Sequence, residues 1–460
     1  MKQTTALLLF LLGVVFLAAD VPAQEVSLTQ TRINSSPNPI GSGARAQGMG
    51  GAFIAIADDA TAASWNPGGL MQLERPELSF VFNFSHNRKE VNNPGTPSME
   101  GMNSISRDDL NYLSFDLPFR AFNKNMVVSL NYQRLYDLYD DLSFDINKGF
   151  FNRVSGGFTS TDTHTDFKQS GALKAFSPAY AIQLTPQLSL GATCNFWTDN
   201  LGYDNGWESH RVDKTTSAVF SPSIPNKVFR GEKTVYTHEE NTNFEAFNMN
   251  LGFLWRINSV VTLGGVYKTP YTASVVRRTW QDSSTVNFGS AGTGSSNFIK
   301  STKTRERIEM HFPSSYGLGI AFRLTDAFTT SFDVYHTEWS DYWIRSNGSK
   351  TNPVTGGLMS KSHTRDTTQV RAGCEYLFVL EKTIIPLRWG VFYDPEPAAK
   401  HPDDFYGFSL GTGISLGPVV LDCAYIYRWG RSVKGSQIGE QGTKLDIKQH
   451  NIYVSMIYHF

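Results

Sequence analysis

Fourteen runs of this chain alternate apolar and polar residues, and the links between them alternate short and long. Period-two alternation marks a strand whose two faces meet different surroundings. The runs lie near 77–86, 111–119, 124–136, 172–184, 187–199, 242–256, 259–280, 303–323, 327–340, 364–377, 384–393, 404–416, 418–430 and 447–460. In one, Val128, Leu130 and Tyr132 alternate with Ser129, Asn131 and Gln133. In the last, Ile452, Val454, Met456, Tyr458 and Phe460 share a face. Short links fall at 119–124, 185–187, 256–259, 324–327, 378–383 and Gly417; long ones fall near 87–110, 137–171, 200–241, 281–302, 341–363, 394–403 and 431–446. A two-sheet sandwich also alternates, but has no reason to sort its links by length. An outer-membrane barrel does, with short periplasmic turns and long external loops. The expected fold is all-β: a transmembrane antiparallel β-barrel of 14 strands, both chain ends periplasmic.

Mean hydropathy of −0.28 is compatible with that reading, because a barrel strand averages its two faces. No stretch of about 18 apolar residues suggests a transmembrane helix. Lys2, the apolar run from Leu7 to Ala19 and the small-residue site Val21-Pro22-Ala23 read as a signal peptide over 1–23, with the mature chain from Gln24. A net charge of −1 gives no electrostatic case for nucleic acid. Cys194, Cys374 and Cys423 are an odd number with no metal-binding spacing; the register puts all three on the lipid face as free thiols. The same register turns Asp116, Asp333, Arg371, Glu375, Arg388 and Asp422 inward, where a charge is cheaper than against lipid.

Enzyme motifs fail on context. Gly413-Ile-Ser-Leu-Gly417 matches the nucleophile-elbow pattern, which needs a strand-to-helix turn; Pro418 and another strand follow here, so a hairpin is expected. No catalytic residue, cofactor or metal site is expected. Asp58-Asp59 is read as pairing with Arg or backbone N–H groups rather than holding a cation. Apolar residues in the long links, among them Leu138, Leu142, Phe144, Phe150 and Trp207, form either an external apolar groove or, as the expectation here, packing of the links on each other.

The segment before the strands differs in kind. Gly43-Ala-Arg-Ala-Gln-Gly-Met-Gly-Gly-Ala-Phe-Ile-Ala-Ile-Ala-Asp-Asp-Ala-Thr-Ala-Ala-Ser-Trp-Asn-Pro-Gly-Gly-Leu70 is rich in Ala and Gly and carries two adjacent acids and an Asn-Pro-Gly turn. Residues 24–75 are expected to sit as a plug in the lumen of a barrel formed by 76–460. This stretch resembles the N-terminal plug of the FadL/OmpP1/TodX family of outer-membrane transport proteins. Gly264-Gly-Val-Tyr-Lys-Thr-Pro270, Phe312-Pro-Ser-Ser-Tyr-Gly-Leu-Gly319 and Arg388-Trp-Gly-Val-Phe-Tyr-Asp-Pro-Glu-Pro397 are also similar to the family.

The resemblance implies a monomeric barrel in the outer membrane, among lipid and lipopolysaccharide, that imports long-chain fatty acids, aromatic hydrocarbons or other hydrophobic molecules. Ligand would pass from the external loops to a pocket beside the plug and leave sideways at an inward kink of the third strand, here 124–136. Val26, Leu28, Phe53 and Trp65 would touch the ligand. Asp58, Asp59, Asn66, Pro67 and Gly68 would form the gate, with Gly68 replacing the family's Ala. Tyr458 and Phe460 resemble the signal read by the outer-membrane assembly machinery. A second reading, from a different class, is an accessory of a secretion system that binds exported protein cargo.

Overall fold

The computed structural model describes residues 41–152, 157–220, 228–288, 295–434 and 442–460. The expected signal peptide and the candidates Val26 and Leu28 lie outside the described residues.

Alternation becomes strand throughout, and a single antiparallel sheet gathers every strand among the described residues. Its strands are β1 (Glu77–Asn92), β2 (Gly101–Ala121), β3 (Lys124–Asp137), β4 (Asp140–Asn152), β5 (Gly157–Phe176), β6 (Ala179–Gln183) and β7 (Leu188–Trp197). There follow β8 (Gly206–Phe220), β9 (Val228–Arg256), β10 (Val261–Lys268), β11 (Tyr271–Phe288), β12 (Ser295–Phe312), β13 (Ser315–Arg323) and β14 (Phe328–Thr337). The last are β15 (Trp343–Ser346), β16 (Ser349–Thr351), β17 (Thr367–Val379), β18 (Ile384–Tyr393), β19 (Phe405–Leu416), β20 (Val419–Lys434) and β21 (Lys444–His459).

The sheet closes. β1 pairs with β2, β2 with β3, β3 with β6, β6 with β7, β7 with β9, β9 with β10, and β10 with β13. From β13 the circuit runs through β14, β17, β18, β19 and β20 to β21, which returns to β1. Closure leaves no unpaired edge, the condition for a sheet in hydrocarbon. Along the ring's outer face the large apolar side chains are exposed, including Phe84, Leu130, Phe247, Val334, Leu410 and Val454. A continuous apolar band of this kind needs lipid against it. The six charged residues expected to point inward are all buried. The three cysteines are free and partly or fully exposed.

Two expectations need correction. The described residues form 21 strands where 14 alternating runs were read. Three of the expected runs are split, each at a proline: Pro178 lies between β5 and β6, Pro270 between β10 and β11, and Pro313 between β12 and β13. Proline has no N–H for the ladder, so a wall strand ends there. The long connections, read as loops, are also largely strand. β4, β5, β8, β9, β11, β12, β15 and β16 pair in that order into a tongue that continues beyond the ring. At the breaks the neighbours change: β3 passes from β6 to β5, and β9 passes from β10 to β11.

Residues 41–75 precede the ring and carry only short helices, α1 (Ala44–Gly48), α2 (Ala62–Trp65) and a 3-10 turn over Pro67–Gln72. Nearly all their side chains are buried. Their contacts reach strands right around the circuit.

Candidate functional site

Small residues let the N-terminal segment lie against the wall. Ala46, Ala55, Ala57, Ala62 and Ala63 pack with Phe53, Trp65 and Leu70, and with Val127, Ala179 and Ala181 of the ring. The fastening is polar. Asp333 on β14 accepts hydrogen bonds from the amides of Phe53, at 2.6 Å, and Ile54, at 2.8 Å. Ser409 donates to Gly48 O and accepts from Gly50 N, each at 2.8 Å. Arg371 donates to Gly50 O, Ser189 to Gly68 O, and Thr193 to Ala63 O. Each is a wall side chain satisfying a backbone group that is in no ladder, as buried polar groups require.

Charge is handled by a chain of pairs. Arg45 binds Asp58 at 2.5 Å and Glu375 at 2.8 Å; Arg388 binds Glu375 at 2.6 Å and Asp422 at 2.5 Å. Burial opposes the charge on Arg45, but Asp58 and Glu375 hold its guanidinium well above its ordinary pKa. Removing one member would strand an uncompensated buried charge. Asp59 instead accepts from the amide and hydroxyl of Thr61, at 2.8 and 2.6 Å. Burial pushes its carboxyl up from the usual range. The Arg and backbone N–H pairing expected for these two acids is therefore what they make.

Asn66 is fully used. Its Nδ2 donates to Ile54 O and to Phe253 O of β9, both at 2.8 Å, and its Oδ1 accepts from Gly68 N at 3.0 Å. Pro67 opens the 3-10 turn that follows. A Cβ on Gly68 would lie 2.8 Å from Phe253 Cα, and one on Gly252 would lie 2.1 Å from Asn66 Oδ1. Backbone thus meets backbone here, which accounts for Gly at 68. Phe53 and Trp65, expected to touch ligand, are fully buried edge to face at 5.9 Å, and Trp65 Nε1 donates to Ser42 O at 2.6 Å. That placement makes them the core of the segment. Tyr458 packs on Phe460, whose ring also meets Phe115 and whose amide donates to Pro76 O at 3.0 Å.

A second feature was not foreseen. Where ring and tongue meet, the ends of β3, β7, β8, β11 and β12 bring together Tyr136, Trp197, Trp207, Tyr271 and Phe312, with Phe244, Trp339 and Tyr342. Trp197 stacks on Tyr271 at 5.4 Å and Tyr271 on Phe312 at 4.9 Å. The hydroxyls of Tyr271 and Tyr342 are buried. The sequence signals were the aromatics beside Pro270 and Pro313 and the apolar link residues Leu138 and Trp207, whose expected packing on each other is part of this cluster.

The wall has one interruption beside the N-terminal segment. At Pro178, which offers no N–H, β3 passes from β6 to β5 in the same register, and the side chain of Asn131 adds a bond there: Nδ2 donates to Ser177 O at 2.7 Å. Ser177 N donates to Asn131 O at 2.7 Å. Tyr112 OH reaches both Asn131 Oδ1 and Ala60 O. The seam and the segment share a hydrogen-bond network.

The profile of the family described as "Outer membrane protein transport protein (OMPP1/FadL/TodX)" matches residues 40–456. The chain belongs to the FadL/OmpP1/TodX family. Like other members it is an outer-membrane transport protein and not an enzyme. Its fold resembles a Pseudomonas aeruginosa FadL homologue, with 15% identity and a TM-score of 0.59 over 91% of this chain and 98% of that one. It also resembles the Pseudomonas putida toluene transporter TodX, with 13% identity and a TM-score of 0.53 over 91% and 98%. At such identities the likeness speaks for the fold alone. No curated protein matches the chain in sequence. The three further segments similar to the FadL family have physical reasons to be as they are. Gly264 and Gly319 leave room for Ile54 and Ala55, Arg388 carries the ion-pair chain beneath Gly48, and Pro270 and Pro313 end wall strands.

Proposed function

We propose that this chain carries long-chain fatty acids or similar hydrophobic molecules inward across the outer membrane without an energy source. In this reading 14 wall positions cross the membrane and residues 24–75 act as the plug. The aromatic cage at the ring–tongue junction carries the reading. Rings that stack on one another can stack on a ligand, and each CH₂ moved from water onto such a surface gains about 0.8 kcal/mol. The buried hydroxyl of Tyr342, which has no hydrogen-bond partner among the described residues, favours a ligand with an oxygen head group. An unmet buried hydroxyl costs about 1–3 kcal/mol.

The exit is assigned to the seam at Asn131. A ladder that lacks the N–H of Pro178, and is held there by one backbone bond and one side chain, takes less to open than a complete one. Movement of Ala60 would release Tyr112 and so loosen Asn131. Asn66-Pro67-Gly68 is the hinge, since Asn66 Nδ2 joins Ile54 O within the segment to Phe253 O of the wall.

The test deletes Asn66 to Gly68 and measures entry of a labelled long-chain fatty acid into cells lacking their own transporter. Heat-modifiable mobility on gels checks that the barrel has folded. Entry should fall to the level of cells without the protein. Unchanged entry sinks the proposal, and binding of exported protein cargo instead would favour the secretion accessory.

A further inference from the structure

The tongue's outer face carries a cluster that transport does not explain. β8 and β9 lie antiparallel in a register that sets His210 directly opposite His238 and Glu208 opposite Glu240. The neighbouring residues Trp207, Ser209 and Arg211 are buried on the other face. Glu208, His210 and His238 thus stand together on the face turned to the external medium. Their nearest ligand atoms lie within 4.8 Å of one another. Glu208 Oε2 is 3.8 Å from His210 Nε2 and 3.8 Å from His238 Nε2.

The other atoms of these side chains are already engaged. Glu208 Oε1 accepts from Ser170 Oγ at 3.3 Å. His210 Nδ1 is 3.0 Å from Tyr236 OH. The His238 ring is sandwiched, 4.2 Å from the His210 ring and 5.0 Å from Trp280. Its Nε2 is buried and makes no hydrogen bond among the described residues. An imidazole held by its other nitrogen, or locked by stacking, with Nε2 left free, is the form in which histidine binds a metal. Glu240 stands next to the group, 3.9 Å from His238 Nε2, but Arg278 lies 3.5 Å from its other oxygen and draws on its charge.

We propose that Glu208, His210 and His238 form a binding site for a divalent transition metal of the Zn²⁺ class on the external face of the tongue. Tetrahedral donors about 2.1 Å from zinc lie about 3.4 Å apart, so Glu208 need close on each imidazole by only about 0.4 Å, and the two imidazole nitrogens on each other by at most about 1.4 Å. Two imidazoles and a carboxylate suit Zn²⁺, Ni²⁺ or Cu²⁺ over Ca²⁺ and Mg²⁺, which take oxygen donors. Three protein ligands leave a fourth position to water. Bound metal would staple β8 to β9.

The test uses the full-length protein in detergent, its affinity tag removed and stray metal stripped with chelator. Zn²⁺ is titrated by calorimetry and Co²⁺ by its visible absorption. One equivalent should bind, with the intense visible bands of tetrahedral cobalt. His210→Gln and His238→Gln should each weaken binding at least about tenfold, while His450→Gln, on another part of the wall, should not. Heat-modifiable mobility checks folding of each variant. Absence of stoichiometric Zn²⁺ uptake overturns the proposal. So does uptake unchanged in both histidine variants, or equal competition by Ca²⁺.

Discussion

The N-terminal segment and the aromatic cage are both buried against one closed sheet, yet they are held by opposite means. The segment is small-residued and fastened by individual polar bonds from wall side chains to its backbone. The cage is large-residued and held by ring on ring. A polar bond exchanged for water costs little net, about 0.5–1.5 kcal/mol, so a body fastened this way can come loose piece by piece. Stacked rings lose contact with every side at once when moved. The comparison teaches that two neighbouring parts of one interior can differ in how they yield: one bond by bond, the other all at once.

The two can be broken separately. The largest effect is expected in the cage. Trp197→Ala removes contacts with Tyr136, Phe244 and Tyr271 and should cost about 3–5 kcal/mol of stability. Unfolding in denaturant should show it, with amide exchange at Phe53 and Ile54 unchanged. Next comes Asp333→Ala. Two charged hydrogen bonds to those amides go, a loss of about 2–3 kcal/mol in the docking of the segment. Exchange there should quicken by about 30- to 150-fold, with tryptophan fluorescence of the cage undisturbed. If either variant disturbs both regions equally, the interior is one body and the comparison fails.

The smallest effect concerns pH. Burial raises the Asp59 carboxyl above its ordinary value. The docked state therefore holds its proton more tightly than the free segment does. Docking is favoured fully below the carboxyl's ordinary range, near pH 4, and that contribution is lost as pH rises through the raised value. Exchange of the amides around Thr61 should slow on mild acidification, and Asp59→Asn should flatten that dependence. A wild-type profile with the opposite slope would show that other groups dominate.

Much of the ring was legible because lipid outside and polar groups inside impose the alternation that the eye finds in Val128 to Gln133. The tongue was not. Runs such as Thr159 to Asp166 face solvent on one side and lack apolar alternation, so they read as loop although they pair over many residues. The proline breaks were missed because apolar alternation resumes after Pro270 and Pro313. In the site, Asn66-Pro67-Gly68 announced itself as a turn. Its partners could not: Arg45 meets Glu375, and Gly50 meets Arg371 and Ser409, across more than 300 residues. The burial of Asp59 decides its behaviour, and burial belongs to the assembled molecule.

The proline breaks carry a further consequence. A continuous β-strand transmits its register from end to end, so an insertion in its upper part would shift every side chain below by one face or one step. Pro178, Pro270 and Pro313 act as expansion joints. Residues can be gained or lost in β5, β11 and β12 without turning the lipid-facing residues of β6, β10 and β13 inward. Those three tongue strands are thereby free to change in length while the wall strands next to them keep their alignment.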